Sequence, residues 1–239
     1  MSGLVARGLV VGRGGFRAGP FDLALAPSAL VAVIGPNGSG KTSLLKTLAG
    51  LLAPLAGMVE VPGTPAYLPP PGSIAAEFSV LHLVALGRAA KRGWSPRLVA
   101  EDREAARIAL AQAGIATLAD AVFSRLSSGQ QQLVLIARLI VQEAPVCLLD
   151  EPTAMLDPAQ TARIDRLVET LAASGRIVVV STHRLDFAAR CGFVVTVGDP
   201  PRVGTPAEIL RPDTLAGLYG GAATSCPACG QVSVVNSDA

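Results

Sequence analysis

The sequence predicts an α/β fold, a parallel sheet covered by helices. Two observations carry that prediction. Three short continuous apolar runs, Leu30–Ile34, Val146–Leu149 and Ile177–Val180, read as strands buried on both faces. Helical stretches separate them, and alternation of this kind favours parallel strands joined by crossover helices. At 239 residues, half of them apolar, the chain is long enough to bury such a core.

The elements follow in order. The N-terminal 30 residues and Met58–Val61 read as short strands with turns, an antiparallel side sheet. Leu30–Ile34 is the first core strand, followed by a Gly-rich turn and a helix over Ser43–Leu52. Pro69-Pro70-Pro71-Gly72 is a stiff hinge, because proline fixes its own backbone. From Ser73 to Glu143 there is no strand signal, and Ile74–Ala90, Pro96–Ala113 and Gly129–Glu143 are predicted helices. The next core strands are Val146–Asp150, Ile177–Ser181 and Phe193–Val197. The chain thus divides into a first core segment (residues 1–72), a helical insertion (73–143), a second core segment (144–221) and a small, polar, flexible tail (222–239).

Composition excludes several classes. A formal charge of +2 argues against a strongly basic nucleic-acid binder. No apolar run approaches the length of a membrane span, since Arg138 breaks the longest, Leu133–Val141. The first residues lack a signal-peptide pattern, so the chain reads as cytoplasmic. Four cysteines in a chain of this length do not make a disulfide framework, and Cys147 reads as inert packing.

Two motifs carry chemistry. Gly35-Pro36-Asn37-Gly38-Ser39-Gly40-Lys41-Thr42 fits the phosphate-binding pattern G-x-x-x-x-G-K-[ST], between a buried strand and a helix. Its glycines let backbone N–H groups converge on phosphate oxygens, at the positive end of the helix. Lys41 would neutralise the β- and γ-phosphates, and the Thr42 hydroxyl would hold Mg²⁺. With Ser43 these are candidate nucleotide ligands. The second motif is Val146-Cys147-Leu148-Leu149-Asp150-Glu151. A buried strand delivers its carboxylates to the sheet edge where open α/β sheets bind ligands. Asp150 would hold Mg²⁺, and Glu151 would polarise the attacking water. Together these motifs mark a P-loop NTPase.

Further residues narrow the class. Leu126-Ser127-Ser128-Gly129-Gln130 opens an amphipathic helix and resembles the L-S-G-G-Q signature of ATP-binding-cassette (ABC) ATPases, with Ser128 at the third position. Ala154-Met155-Leu156-Asp157 resembles the family's D-loop, and Ser181-Thr182-His183 its switch histidine. The resemblance spans roughly residues 3–220. It implies an ABC ATPase with a RecA-like core, binding ATP and Mg²⁺. It also implies a head-to-tail homodimer, in which Ser127, Ser128, Gly129, Gln130 and Asp157 reach toward the partner subunit's nucleotide. Glu151, His183 and Lys41 would be the catalytic residues. His82, in the helical insertion, reads as a surface or packing residue.

A single cassette without membrane spans resembles the ATPase subunit of an importer with a separate permease. Ser79–Arg88, Gln132–Arg138 and Gly204–Leu210 are similar to the metal-chelate branch, which serves iron–siderophore, haem and cobalamin uptake. That implies a cytoplasmic protein on the inner membrane face, a permease helix seated over Ile74–Arg88, and indirectly an extracytoplasmic solute-binding protein. The same Ile74–Arg88 stretch also reads as plain domain core, and the two readings are compatible. Charged substitution at Val80 or Leu83 is then expected to break the permease contact. Alternatives are another import system, or a regulatory or assembly ABC protein with weak hydrolysis.

Two departures stand out. After Tyr67-Leu68-Pro69 the family usually places a glutamine, and here Pro70 stands there. Where the family often stacks an aromatic on adenine the chain has Arg13, and either its guanidinium or Phe16 would serve. Cys226 and Cys229 have the spacing of half a zinc site, or are two thiols in a disordered tail.

Overall fold

The computed structural model describes residues 3–72, 77–92, 97–225 and 232–235. Two ten-residue strands, β1 (Leu4–Arg13) and β2 (Phe16–Leu25), form an antiparallel hairpin. Strand β3 (Leu30–Ile34) enters the core, and α1 (Lys41–Leu48) follows the phosphate loop. Strand β4 (Ala56–Glu60) pairs with β1, giving a three-stranded sheet in the order β2-β1-β4. Strand β5 (Ala66–Leu68) precedes the prolines.

The helical insertion contains α2 (Val80–Ala85), a 3₁₀ turn (Leu86–Arg92), α3 (Ala100–Gln112) and α4 (Ser128–Gln142). Strand β6 (Val146–Asp150), α5 (Pro158–Ala173), β7 (Ile177–Ser181), α6 (Leu185–Ala188) and β8 (Phe193–Thr196) complete the core crossovers. Strand β9 (Arg202–Gly204), α7 (Pro206–Ile209) and α8 (Pro212–Tyr219) follow. A final hairpin pairs β10 (Ala222–Ser225) with β11 (Val232–Val235).

The central sheet has the order β5-β6-β7-β3-β8-β9, parallel except for β9. Successive side chains on a strand point to opposite faces, and the two cores divide accordingly. Val31, Val33, Leu148 and Val179 pack with Leu44, Leu45 and Leu48 of α1 against Leu9, Phe21 and Leu23 of the hairpin. Ala32, Ile34, Cys147, Leu149 and Val180 pack against α2, α4 and α5. Each face of the sheet is thus covered, which is why these strands carry uninterrupted apolar runs.

Differences from the sequence expectations are local. The hairpin strands are longer than predicted, running through register shifts between Ala6 and Leu9 and between Leu9 and Val11. The first insertion helix is shorter. Ser79 caps it, accepting from the His82 N–H at 3.3 Å, and a 3₁₀ turn takes over at Leu86. Gly87 lies so close to α4 that a Cβ there would sit 2.6 Å from the Arg138 carbonyl oxygen. Helix α3 begins at Ala100, where the Asp102 carboxylate accepts from the Val99 N–H at 3.0 Å. Some of the polar tail is paired, in the β10–β11 hairpin. Cys226 and Cys229 lie outside the described residues. No helix among the described residues is long and apolar enough to cross a membrane.

Candidate nucleotide site

The sheet order makes β3, β7 and β6 neighbours, with Val33 opposite Ser181 and Ser181 opposite Asp150. Their C-terminal ends therefore deliver the phosphate loop, the Thr182–His183 turn and Asp150–Glu151 to one edge. Residues separated by more than 100 positions meet because parallel strands end on the same side.

Gly35 opens the loop where there is no room for a side chain: a Cβ would sit 2.5 Å from the Val197 carbonyl oxygen. Gly40, the N-cap of α1, has φ +102°, and a Cβ there would sit 2.6 Å from Phe16 Cε1. Pro36, Asn37 and Gly38 form the crown of the loop, with Asn37 and Gly38 exposed, while Thr42 and Ser43 lie in the first turn of α1.

Lys41 is buried. Its Nζ donates to the carbonyl oxygens of Gly35 at 2.9 Å and Pro36 at 3.1 Å, and lies 3.7 Å from Glu151 Oε1. Burial lowers the affinity of this ammonium for its proton, against the pull of Glu151 and Asp150. Glu151 Oε1 also shares a 2.8 Å hydrogen bond with His183 Nε2. Glu151 has a left-handed backbone, φ 47°, costly for a residue with a side chain. That conformation is fixed by its N–H, which donates to the Ser181 carbonyl at 3.2 Å and to Ser181 Oγ at 2.9 Å.

Asp150 is 1% exposed, and both its oxygens have donors. Ser181 Oγ donates to Oδ1 at 2.6 Å, and the Tyr67 hydroxyl donates to Oδ2 at 3.1 Å. Ser181 and Tyr67 are the members of this cluster that sequence reasoning does not assign to Asp150. Tyr67 and Asp150 are 83 residues apart, and no local pattern pairs them.

These residues fit a nucleoside triphosphate and Mg²⁺. Ser39 Oγ, inside the loop, is buried without a hydrogen-bond partner, an unmet polar group of the kind a phosphate oxygen satisfies. Among the described residues no cluster of three or more His, Cys, Asp or Glu could hold a metal by itself. The oxygen donors Thr42 and Asp150 suit Mg²⁺, which typically takes one or two protein oxygens beside phosphate oxygens and water. Arg13 and Phe16 line a 340 Å³ cavity with Gly14, Gly15, Arg17 and Leu55. It adjoins the loop through the Phe16 ring.

The signature turn stands apart. Ser127 caps α4: its Oγ accepts from the Gln130 N–H at 3.3 Å, while its own N–H donates to Gln130 Oε1 at 3.1 Å. Ser128 and Gly129 form the first turn of this helix. Asp157 is exposed and caps α5, accepting from the Gln160 N–H at 2.9 Å. Among the described residues, no hydrogen bond or ion pair joins Ser127–Gln130 or Asp157 to the phosphate loop, Glu151 or His183. In the insertion, Val80 and Leu83 are buried in the core, whereas Phe78 is exposed and stacks on the His82 ring at 5.1 Å. Val80 and Leu83 are therefore packing positions, and the expectation that charge there would test a docking surface is corrected. Ser73–Ala76 lie outside the described residues.

A parallel sheet with a phosphate loop at its switch point and a buried acidic strand end beside it defines a P-loop nucleoside triphosphatase. Residues 19–154 match the ABC transporter family. The "Hemin import ATP-binding protein HmuV" of Nocardia farcinica is 39% identical, over 90% of this chain and 82% of that protein. The "Cobalamin import ATP-binding protein BtuD" of Halobacterium salinarum is also 39% identical, over 86% of this chain, which spans 56% of that relative. Among solved structures, a chain of a putative metal-chelate type ABC transporter in an inward-facing conformation superposes with TM-score 0.88 and 28% identity, covering 98% of this chain and 97% of that one. A nucleotide-free ATP-binding cassette, 21% identical, shares the fold with TM-score 0.77, over 90% of this chain and 98% of that one. The chain belongs to the ABC transporter family and is one of its ATP-binding ATPases.

Proposed function

We propose that the protein is the ATP-hydrolysing subunit of an importer for a metal chelate of the haem, cobalamin or iron–siderophore type. It would work on the cytoplasmic face of the membrane with a separate permease, fed by an extracytoplasmic solute-binding protein. The observation that carries this reading is the convergence of Lys41, Glu151 and His183 at one sheet edge. The names of the relatives favour the chelate class. The division at residues 72, 143 and 221 supplies a core, a helical signature segment and the acidic strand.

The loop from Gly35 to Ser43 would bind the triphosphate, with Lys41 leaving the loop carbonyls to pair with phosphate oxygens. Thr42 and Asp150 are the residues that would hold Mg²⁺, which when bound supplies positive charge to the phosphate oxygens. Arg13 or Phe16 would stack on the base. Glu151, restrained by Ser181 and His183, would orient the attacking water and take its proton. Ser127, Ser128, Gly129, Gln130 and Asp157 would complete the site on a second copy, head to tail. Closure then depends on contacts made only with nucleotide present, so ATP shifts the population toward the dimer. Phe78, just before α2, and His82 on it would offer the permease-facing side.

The test is Glu151→Gln, which keeps shape and removes the base. ATP binding and ATP-dependent dimerisation, read by light scattering, should persist while phosphate release falls about 10²–10⁴-fold. Turnover near that of the parent removes Glu151 from the role, and a protein that stays monomeric with ATP removes the shared site.

A further inference from the structure

We infer that Tyr67 is a positioning residue for Asp150, tying the proline hinge to the acidic edge. The inference rests on the proposed nucleotide site and adds to it a residue that no motif assigns.

Four observations carry it. First, Asp150 is buried, so the direction of its carboxylate is set by its donors rather than by water. Among the described residues there are two, Ser181 on Oδ1 and Tyr67 on Oδ2, one for each oxygen. A carboxylate held on both oxygens cannot rotate about its last bond without breaking one of them. Second, Ser181 belongs to β7 and also fixes the Glu151 N–H, whereas Tyr67 belongs to β5 at the edge of the sheet, opposite Leu148 of β6. The acidic edge is thus gripped from both neighbouring strands. Third, β5 has three residues, and Leu68 alone separates Tyr67 from Pro69-Pro70-Pro71. Three consecutive prolines transmit displacement rather than absorb it, because each fixes its own φ. Fourth, among the described residues of 66–72, only Tyr67 has a side chain hydrogen-bonded to the acidic edge.

Movement of the hinge would therefore reach Asp150 as a change in one hydrogen bond. A donor that orients a metal-holding carboxylate tunes metal affinity without touching the metal.

The experiment uses the full chain and Tyr67→Phe, which keeps the ring and removes only the hydroxyl. A fluorescent ATP analogue is titrated in EDTA and again across a range of Mg²⁺ concentrations. In EDTA the Kd should stay within about twofold of the parent. The Mg²⁺ concentration at half-maximal strengthening of binding should rise about tenfold, as is typical when a hydrogen bond to a metal ligand is removed. In an Asp150→Asn background, Tyr67→Phe should add no shift, because its partner is already altered. An unchanged Mg²⁺ midpoint overturns the inference. So does an equal loss in EDTA, which would make Tyr67 a packing residue. A parent chain that fails to bind the analogue at all overturns the nucleotide site itself, a result distinct from either.

Discussion

Cys147 and Cys191 show how position sets the chemistry of a residue. Both are buried, and burial pushes their thiols up to about 11 and about 12. The thiolate is the reactive form, so alkylation of native protein at pH 8 should leave both unmodified in a peptide map. After guanidinium denaturation both should react. The sign of the pH dependence follows. An unfolded thiol ionises from about 8.5 upward, while the folded thiols hold their protons to higher pH. Their contribution to stability is complete below about 8.5 and is lost as pH rises through 11 and 12. Cys147→Ala should flatten the fall in denaturation midpoint between about pH 8 and pH 10. Glu151 is the opposite case, a group held in a costly backbone conformation so that it can meet Lys41 and His183.

At the scale of elements, β6 is the member on which both cores and the site depend. Leu148 on one face is fully buried among the residues packed on α1, and Leu149 on the other lies against the helical insertion. Leu148→Ala should cost about 2–5 kcal/mol, from lost burial and the cavity left behind. Urea denaturation would read it as a lower midpoint at unchanged slope. The core strands are legible in the sequence because both faces of each are buried, which leaves a continuous apolar run. The predicted strand Phe193–Val197 ends within one residue of β8. The first insertion helix is less legible, because its change to a 3₁₀ turn at Leu86 accompanies a close approach of Gly87 to α4, a contact between separated elements. The same holds within the site. Gly35–Thr42 announces itself by spacing, whereas the Tyr67–Asp150 bond has no sequence signature.

For the whole molecule, the question is what its exposed faces meet. Phe78 is half exposed and stacked on His82, beside a helix whose other apolar residues are buried or packed against the core. Phe78→Asp should leave ATP binding and the thermal midpoint close to the parent values. It should reduce retention of a co-expressed permease of the proposed importer in a pull-down about tenfold or more. Full retention would move the docking face elsewhere. Among the described residues the signature turn and Asp157 make only their own helix caps, and the proposed cycle gives them a role on a second copy.

By itself the sequence determined the chemistry at hand: a Gly-rich loop with its lysine, a buried strand ending in two carboxylates, and a Ser-capped helix. Those depend on local spacing and on the periodicity of apolar residues, which survive in one dimension. Tertiary structure alone decided which groups touch. The strand order brought Lys41, Glu151 and His183 together, set Tyr67 and Ser181 on either side of Asp150, and buried Val80 and Leu83. Pairing between distant strands is fixed by packing of the whole sheet, and no short window of residues contains it.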